Sequence, residues 1–247
     1  MIFTIAFKEF RSLLVTPSTW LFLGALQFIF AWFFLARLDA FLQVQTQLAQ
    51  LANAPGATQT VAAPLFGTIA LIMMMLVPVF TMRLIAEERR NRTLTLLMTA
   101  PVSSMQIVLG KFIGLLLFLL LAIAGSVLMV LSLAAGTQLD KGLIFANALG
   151  LLLLAASYAA LGLYISSLTV QPVVAAIGAM AALFGLWLVE VSAVDGDTAW
   201  RALAPTSHFQ SFNSGLLNSG DLAYFLLFST AFLLLAMRRI HNNRIYG

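Results

Sequence analysis

The sequence predicts an all-α integral membrane protein with six transmembrane helices. Hydrophobic residues make up 62% of the chain and charged residues only 9%, against about 25% charged in soluble domains. Mean hydropathy is +1.01. Six runs approach the roughly 20 apolar residues that cross a bilayer. The 247 residues leave no room for a large soluble domain beside them, so residues 1–247 read as a single transmembrane domain.

The elements follow in order. Phe3, Phe7, Phe10 and Leu14 recur at helical spacing, with Lys8, Glu9, Arg11 and Ser12 on the other side. This pattern predicts an N-terminal amphipathic interfacial helix; a plain lead-in is the alternative. The segment is not a signal peptide, because its charges sit mid-segment and no small-residue cleavage site follows. The first span is expected at about 19–36, with Pro17 in its opening turn. Asp39 to Pro64 is a Gln/Ala/Thr stretch and reads as a loop. The second span is expected at 65–84, bent by Pro78, which removes a backbone donor. The third runs about 112–133, the fourth 143–165 and the fifth 173–192, with Leu168 to Pro172 as a tight turn. Asp195 to Asp221 is polar, and the sixth span, about 222–237, precedes a basic tail.

Charge sets the orientation. With both termini in the cytoplasm, only Arg37, Lys141 and Arg201 of the 13 Lys and Arg lie outside. Positive residues accumulate on the cytoplasmic side. Asp39, Asp140, Asp195, Asp197 and Asp221 fall on the outer side. The net charge of +4 is therefore read as loop charge, and no nucleic-acid partner is expected.

Catalytic chemistry is not visible. The chain has no cysteine, which excludes disulfides, thiol nucleophiles and Cys metal sites. Gly110-Lys111 resembles the end of a phosphate loop, but Phe112 replaces the Ser/Thr and Met105 the first Gly. His208 and His241 are expected on opposite sides, so no metal pair forms. Glu190 is the one acid inside a span and is expected to snorkel outward. The span cores read as Leu, Ala, Phe, Met and Val, without the mid-depth ionisable or hydrogen-bonding groups of a self-powered carrier.

The segment Glu87 to Lys111, EERRNRTLTLLMTAPVSSMQIVLGK, is the exception to this apolar text. A charge cluster precedes Thr93 to Met98, a helical turn or two rich in apolar side chains. Pro101 breaks it, since the residue before proline avoids helix. Ser103 and Gln106 spell a capping box that opens a second helix. Leu94, Leu97, Met98 and Val102 call for either a protein partner or lipid re-entry. Glu87, Glu88 and Arg89 read either as partner contacts or as a solvated collar. Gly110 and Gly114 form a G-x-x-x-G pair, suited to a dimer contact or to packing within one subunit.

These residues carry a resemblance. Glu87-Glu88-Arg89, Thr93-Leu94, Leu96-Leu97, Pro101-Val102-Ser103 and Gly110-Lys111 resemble the cytoplasmic loop of permeases of ABC-2 type ABC transporters. The chain departs from that pattern at Arg92, where the family usually has Gly, and at Thr95, where it usually has Glu. Phe7-Lys8-Glu9-Phe10 is similar to the family's entry helix. Ser207 to Phe212, Gly215, Asp221 and Tyr224-Phe225 are similar to the region before the sixth span in the gliding-motility-associated branch. The likeness covers the whole chain.

The resemblance implies a membrane-spanning permease subunit of an exporter in a bacterial cytoplasmic (inner) membrane. Its partners would be two copies of a cytoplasmic ABC ATPase, a second or related permease copy, membrane lipid, and an accessory extracytoplasmic protein. No cofactor is expected on this chain; ATP and Mg belong to the partner ATPase. The loop would couple hydrolysis to reorientation, through Glu87, Glu88, Arg89, Thr93, Leu94, Leu97, Pro101, Val102 and Lys111. Phe3, Phe7, Lys8, Phe10 and Arg11 would form the interfacial helix. Trp200, His208, Phe209 and Phe212 would belong to an outer re-entrant segment, where a plain loop is the alternative. Beside the exporter stand two other readings: a membrane scaffold that docks a cytoplasmic protein without transport, and a membrane-embedded enzyme.

Overall fold

The computed structural model describes residues 1–48, 56–92, 102–192 and 202–246, and among them there is no strand. Among the described residues, eight helices organise the fold. α1 is Ile2–Val15 and α2 is Pro17–Leu48. α3 is Ala63–Met82, preceded by a π-turn at Thr58–Ala62 and followed by another at Arg83–Glu87. A last helical turn, Glu88–Arg90, closes that rod. α4 is Ser104–Leu131, α5 Lys141–Leu168, α6 Pro172–Ser192, α7 Pro205–Asn213 and α8 Ser219–Tyr246. Six of the helical segments, all but α1 and α7, are long and apolar enough to cross a membrane.

The spans are those expected, with longer helices. Asp39 to Leu48, read as loop, continues α2, and Thr58 to Pro64 already belongs to the helical rod of α3. Gln and Ala are good helix formers, so falling hydropathy marks where a helix leaves the hydrocarbon, not where it ends. The basic tail likewise stays helical to Tyr246. Pro78 lies inside an unbroken α3. Between α1 and α2 the chain turns at Thr16, which is extended, as a residue before proline prefers. Trp20 Nε1 bridges the corner to the Leu14 carbonyl at 2.5 Å.

α5 is the central helix, packed against α3, α4, α6, α7 and α8. Its Leu151, Leu154, Tyr158, Ala159 and Leu163 are buried. Gly162 makes room for Thr81 of α3. α2 is peripheral: Leu26, Phe30 and Phe34 face the core, while Trp20, Leu21, Phe28 and Trp32 are exposed. A helix apolar on every side suits a lipid surround.

Apolar burial gives little net drive between helices in lipid, so close approach and hydrogen bonds matter more. Gln27 of α2 donates to the Ala122 carbonyl of α4 at 2.8 Å, in the gap left by Gly125. Ser157 of α5 meets Ser229 of α8 at 3.2 Å. Asn147 Nδ2 donates to Leu143 of its own helix at 2.9 Å and to the Asn213 carbonyl at 3.4 Å. The spans thus carry more internal polar groups than the sequence reading allowed, and these uncharged ones serve as fasteners.

Candidate functional site

One end of the bundle gathers the first turns of α4, the last turn of the α3 rod, α1 and the basic part of α8. α1 lies against α4. Ala6 and Glu9 are its buried positions, while Phe3 and Phe7 are 80% and 64% exposed. The helix therefore turns its small and acidic residues to protein and its Phe3–Phe7 stripe outward. Phe10 is half-buried against the core, and Lys8 and Arg11 are exposed. The contact is close because α4 presents two glycines. A Cβ at Gly110 would lie 2.6 Å from Ile5 Cγ2, and one at Gly114 would lie 2.8 Å from the Ala6 carbonyl and from Glu9 Cβ. The G-x-x-x-G pair serves packing within the subunit.

Above these glycines sits Lys111, fully buried in the second turn of α4. Its Nζ lies 3.1 Å from Glu9 Oε1 and 2.6 Å from Glu88 Oε1. Lys8, on the solvent side, approaches the same oxygens at 3.2 and 3.9 Å. Two ammoniums and two carboxylates balance, which is what permits Lys111 to be buried at all. Burial pushes the Glu9 carboxyl up, but the charges and hydrogen bonds of Lys111 and Lys8 outweigh it and hold it below its ordinary value. A cleft of about 320 Å³ opens beside the cluster between α1 and the end of the α3 rod, lined by Thr19, Arg83, Glu87 and Asn91 among others.

The rod that delivers Glu88 is wound unusually. In an α-helix the Ala86 N–H would donate to the Met82 carbonyl four residues back. Here Ser166 of α5 stands between them. Its hydroxyl accepts from Ala86 N at 3.0 Å and donates to the Met82 carbonyl at 3.3 Å. A side chain inserted into the ladder is a known cause of local unwinding, and this stretch is the π-turn. The winding sets which faces Glu87, Glu88 and Arg89 occupy. Arg89 lies near Arg239 of α8, and its Nη2 is buried without a hydrogen-bond partner.

The rod ends at Asn91 and Arg92, and Arg92 has φ +58°. This left-handed geometry closes helices at the position where Gly is most common. It gives a physical reason for the Gly that the resembled pattern carries there. Thr93, Leu94, Leu97 and Pro101 lie outside the described residues. At the start of α4 the expected capping box is present. Gln106 N donates to Ser103 Oγ, and Ser103 N donates to Gln106 Oε1, both at 3.2 Å.

At the opposite end α7 packs along the opening turns of α5. Phe212 and Phe209 cover Gly150, where a Cβ would stand 2.6 Å from Phe212 Cβ. Gly215, at φ +86°, follows and sits over Leu143. His208 Nδ1 meets Asp221 at 2.5 Å, its Nε2 meets the Ala202 carbonyl at 3.0 Å, and its ring stacks on Tyr224 at 3.9 Å. Trp200 lies outside the described residues. Glu190 does not snorkel: it is buried, bonded to Thr206 and Gln210 of α7.

Of the sequence-predicted residues, the structure brings together Lys8, Glu88 and Lys111, and separately His208, Phe209 and Phe212. Sequence reasoning missed Glu9 and Ser166 as site residues and misread Glu190 as snorkelling. Glu9 carried a readable signal, a carboxylate at helical spacing from Ala6 and Leu13 and facing inward with them. Ser166 carried none, because its role depends on which helix passes beside it.

Residues 3–239 match the family model described as ABC-2 family transporter protein. No curated protein matches the chain in sequence.

Proposed function

Since the chain belongs to the ABC-2 family of transporter proteins, whose model spans nearly all of it, it is a membrane permease of an ABC transporter, and we propose that it couples a separate ATPase to export. In this reading both termini and the 87–111 segment face the cytoplasm of a bacterial inner membrane. Two ATPase subunits carry ATP and Mg, and two permease copies form the pathway. This chain binds no cofactor. An accessory extracytoplasmic protein would meet the α7 end.

The observation that carries the reading is the Glu9–Lys111–Glu88 cluster. It ties together the two helices that flank residues 93–101 and adds α1 as a third member. A displacement of that segment therefore moves the end of α3, the start of α4 and α1 as one body. Segments held at one point transmit a push without dissipating it in loop motion. The roles divide accordingly. Glu88 and Lys111 hold the frame, whereas Glu87, Arg89 with its unpartnered Nη2 and the apolar Leu94, Leu97 and Val102 meet the ATPase. The guanidinium donates to a partner carboxylate, which offsets the repulsion from Arg239. Thr93 and Pro101 shape the turn, and Phe3 and Phe7 hold α1 at the lipid boundary.

The test is co-purification of the chain with its ATPase. Leu97→Asp and Pro101→Ala are expected to lose the ATPase, its hydrolysis, or both. An intact, active complex from both variants would reject the contact assignment. A cysteine placed at Thr93 that reacts only from the periplasmic side would reject the orientation. Complex formation without ATP-dependent transport would favour a scaffold.

A further inference from the structure

A second site, independent of the ATPase, lies at the α7 end. A cavity of about 460 Å³ opens between α3, α6 and α7, lined by Thr68, Trp187, Glu190, Gln210 and Asn213 among others. Glu190 is only 7% exposed. The Thr206 hydroxyl donates to its Oε2 and Gln210 Nε2 donates to its Oε1 at 3.4 Å. Both oxygens are engaged as acceptors. Among the described residues no Lys, Arg or His forms an ion pair with it. A buried carboxylate without a counter-charge is costly.

Two neighbours ask for the same complement. Asn213 Oδ1 is buried with no donor. Trp187 precedes Glu190 by three residues on α6, so both project to one side of the helix, and both line the cavity. An indole face attracts organic cations. A carboxylate, an unmet amide acceptor and an indole together fit a group that is cationic, donates N–H bonds and has an organic surface. We propose that this cavity binds a protonated primary amine. Among the described lining residues an anion finds no cation. A quaternary ammonium would bring charge but leave Asn213 unmet. The proposal goes beyond the permease reading and needs only this chain.

The thermal unfolding midpoint of the full chain in phosphatidylcholine nanodiscs tests it. The probes are dodecylammonium, butylammonium and the neutral dodecanol. An ammonium is expected to raise the midpoint saturably, as a ligand that binds only the folded state must. Apparent affinity should fall at least about tenfold in Glu190→Gln, the scale of a lost charge-assisted contact. If Glu190→Gln does not fold, Trp187→Leu carries the test, with the same direction expected. A response to dodecylammonium alone identifies a membrane amphiphile, and a response to both amines identifies a water-borne one. The proposal is overturned if dodecanol or potassium chloride matches the amines, or if folded variants keep wild-type affinity.

Discussion

Replacing Lys111 by Met keeps most of the side-chain volume and deletes one buried charge. In the native chain Lys111 Nζ contacts Glu9 at 3.1 Å and Glu88 at 2.6 Å while fully shielded from solvent. The variant leaves two carboxylates at close range with only the exposed Lys8 to neutralise them. Breaking a buried ion pair by removing one partner costs about 3–5 kcal/mol. Glu9→Gln should cost less, about 1.5–3 kcal/mol for a hydrogen bond to a charged group, because Lys111 retains Glu88 and the excess charge falls on solvated Lys8. Thermal unfolding of the purified chain in detergent would read this as a midpoint lower by on the order of 10 °C for Lys111→Met, with a smaller loss for Glu9→Gln. The double variant Glu9→Gln/Lys111→Met should lose less than the sum of the two single losses, since it removes one of the stranded carboxylates. A Lys111→Met chain as stable as wild type would refute the cluster as a structural frame. Additive losses would refute the coupling between α1 and α4.

Three further expectations follow from the same end of the bundle. Gly110→Ala and Gly114→Ala should each destabilise by about 1–3 kcal/mol, because the new methyl meets Ile5 Cγ2 and Cβ at 2.6 and 2.7 Å in one case and the Ala6 carbonyl and Glu9 Cβ at 2.8 Å in the other; midpoints of the two variants measure it. Ser166→Ala strands or rewinds the Ala86–Met82 pair and should cost about 1–3 kcal/mol. It should also change the reactivity of a cysteine placed at Glu87, since rewinding turns that position to another face. Glu9 has its carboxyl held below the ordinary value of 4.5 when α1 is docked, so its contribution is complete above that value and is lost as pH falls through the lower, docked one. The midpoint difference between wild type and Glu9→Gln should therefore shrink below about pH 4.5 and hold constant above it.

The sequence by itself determined what depends on composition and local order. Six spans were readable because a bilayer demands long apolar runs whatever their neighbours, and α1 was readable from its Phe spacing. The capping box at Ser103 and Gln106 was readable because both partners lie within one turn. Even the left-handed Arg92 was foreshadowed, as the residue standing where the resembled loop keeps glycine. Only the tertiary structure decided which faces meet. Lys111 and Glu9 are 102 positions apart in the chain, and Ser166 is 80 from the helix it unwinds. In a span that is apolar all round, no periodic stripe says which side faces protein and which faces lipid. Pairing is chosen instead by where glycines let backbones approach and where a buried charge or hydroxyl finds its complement, and those choices exist only once the helices are side by side.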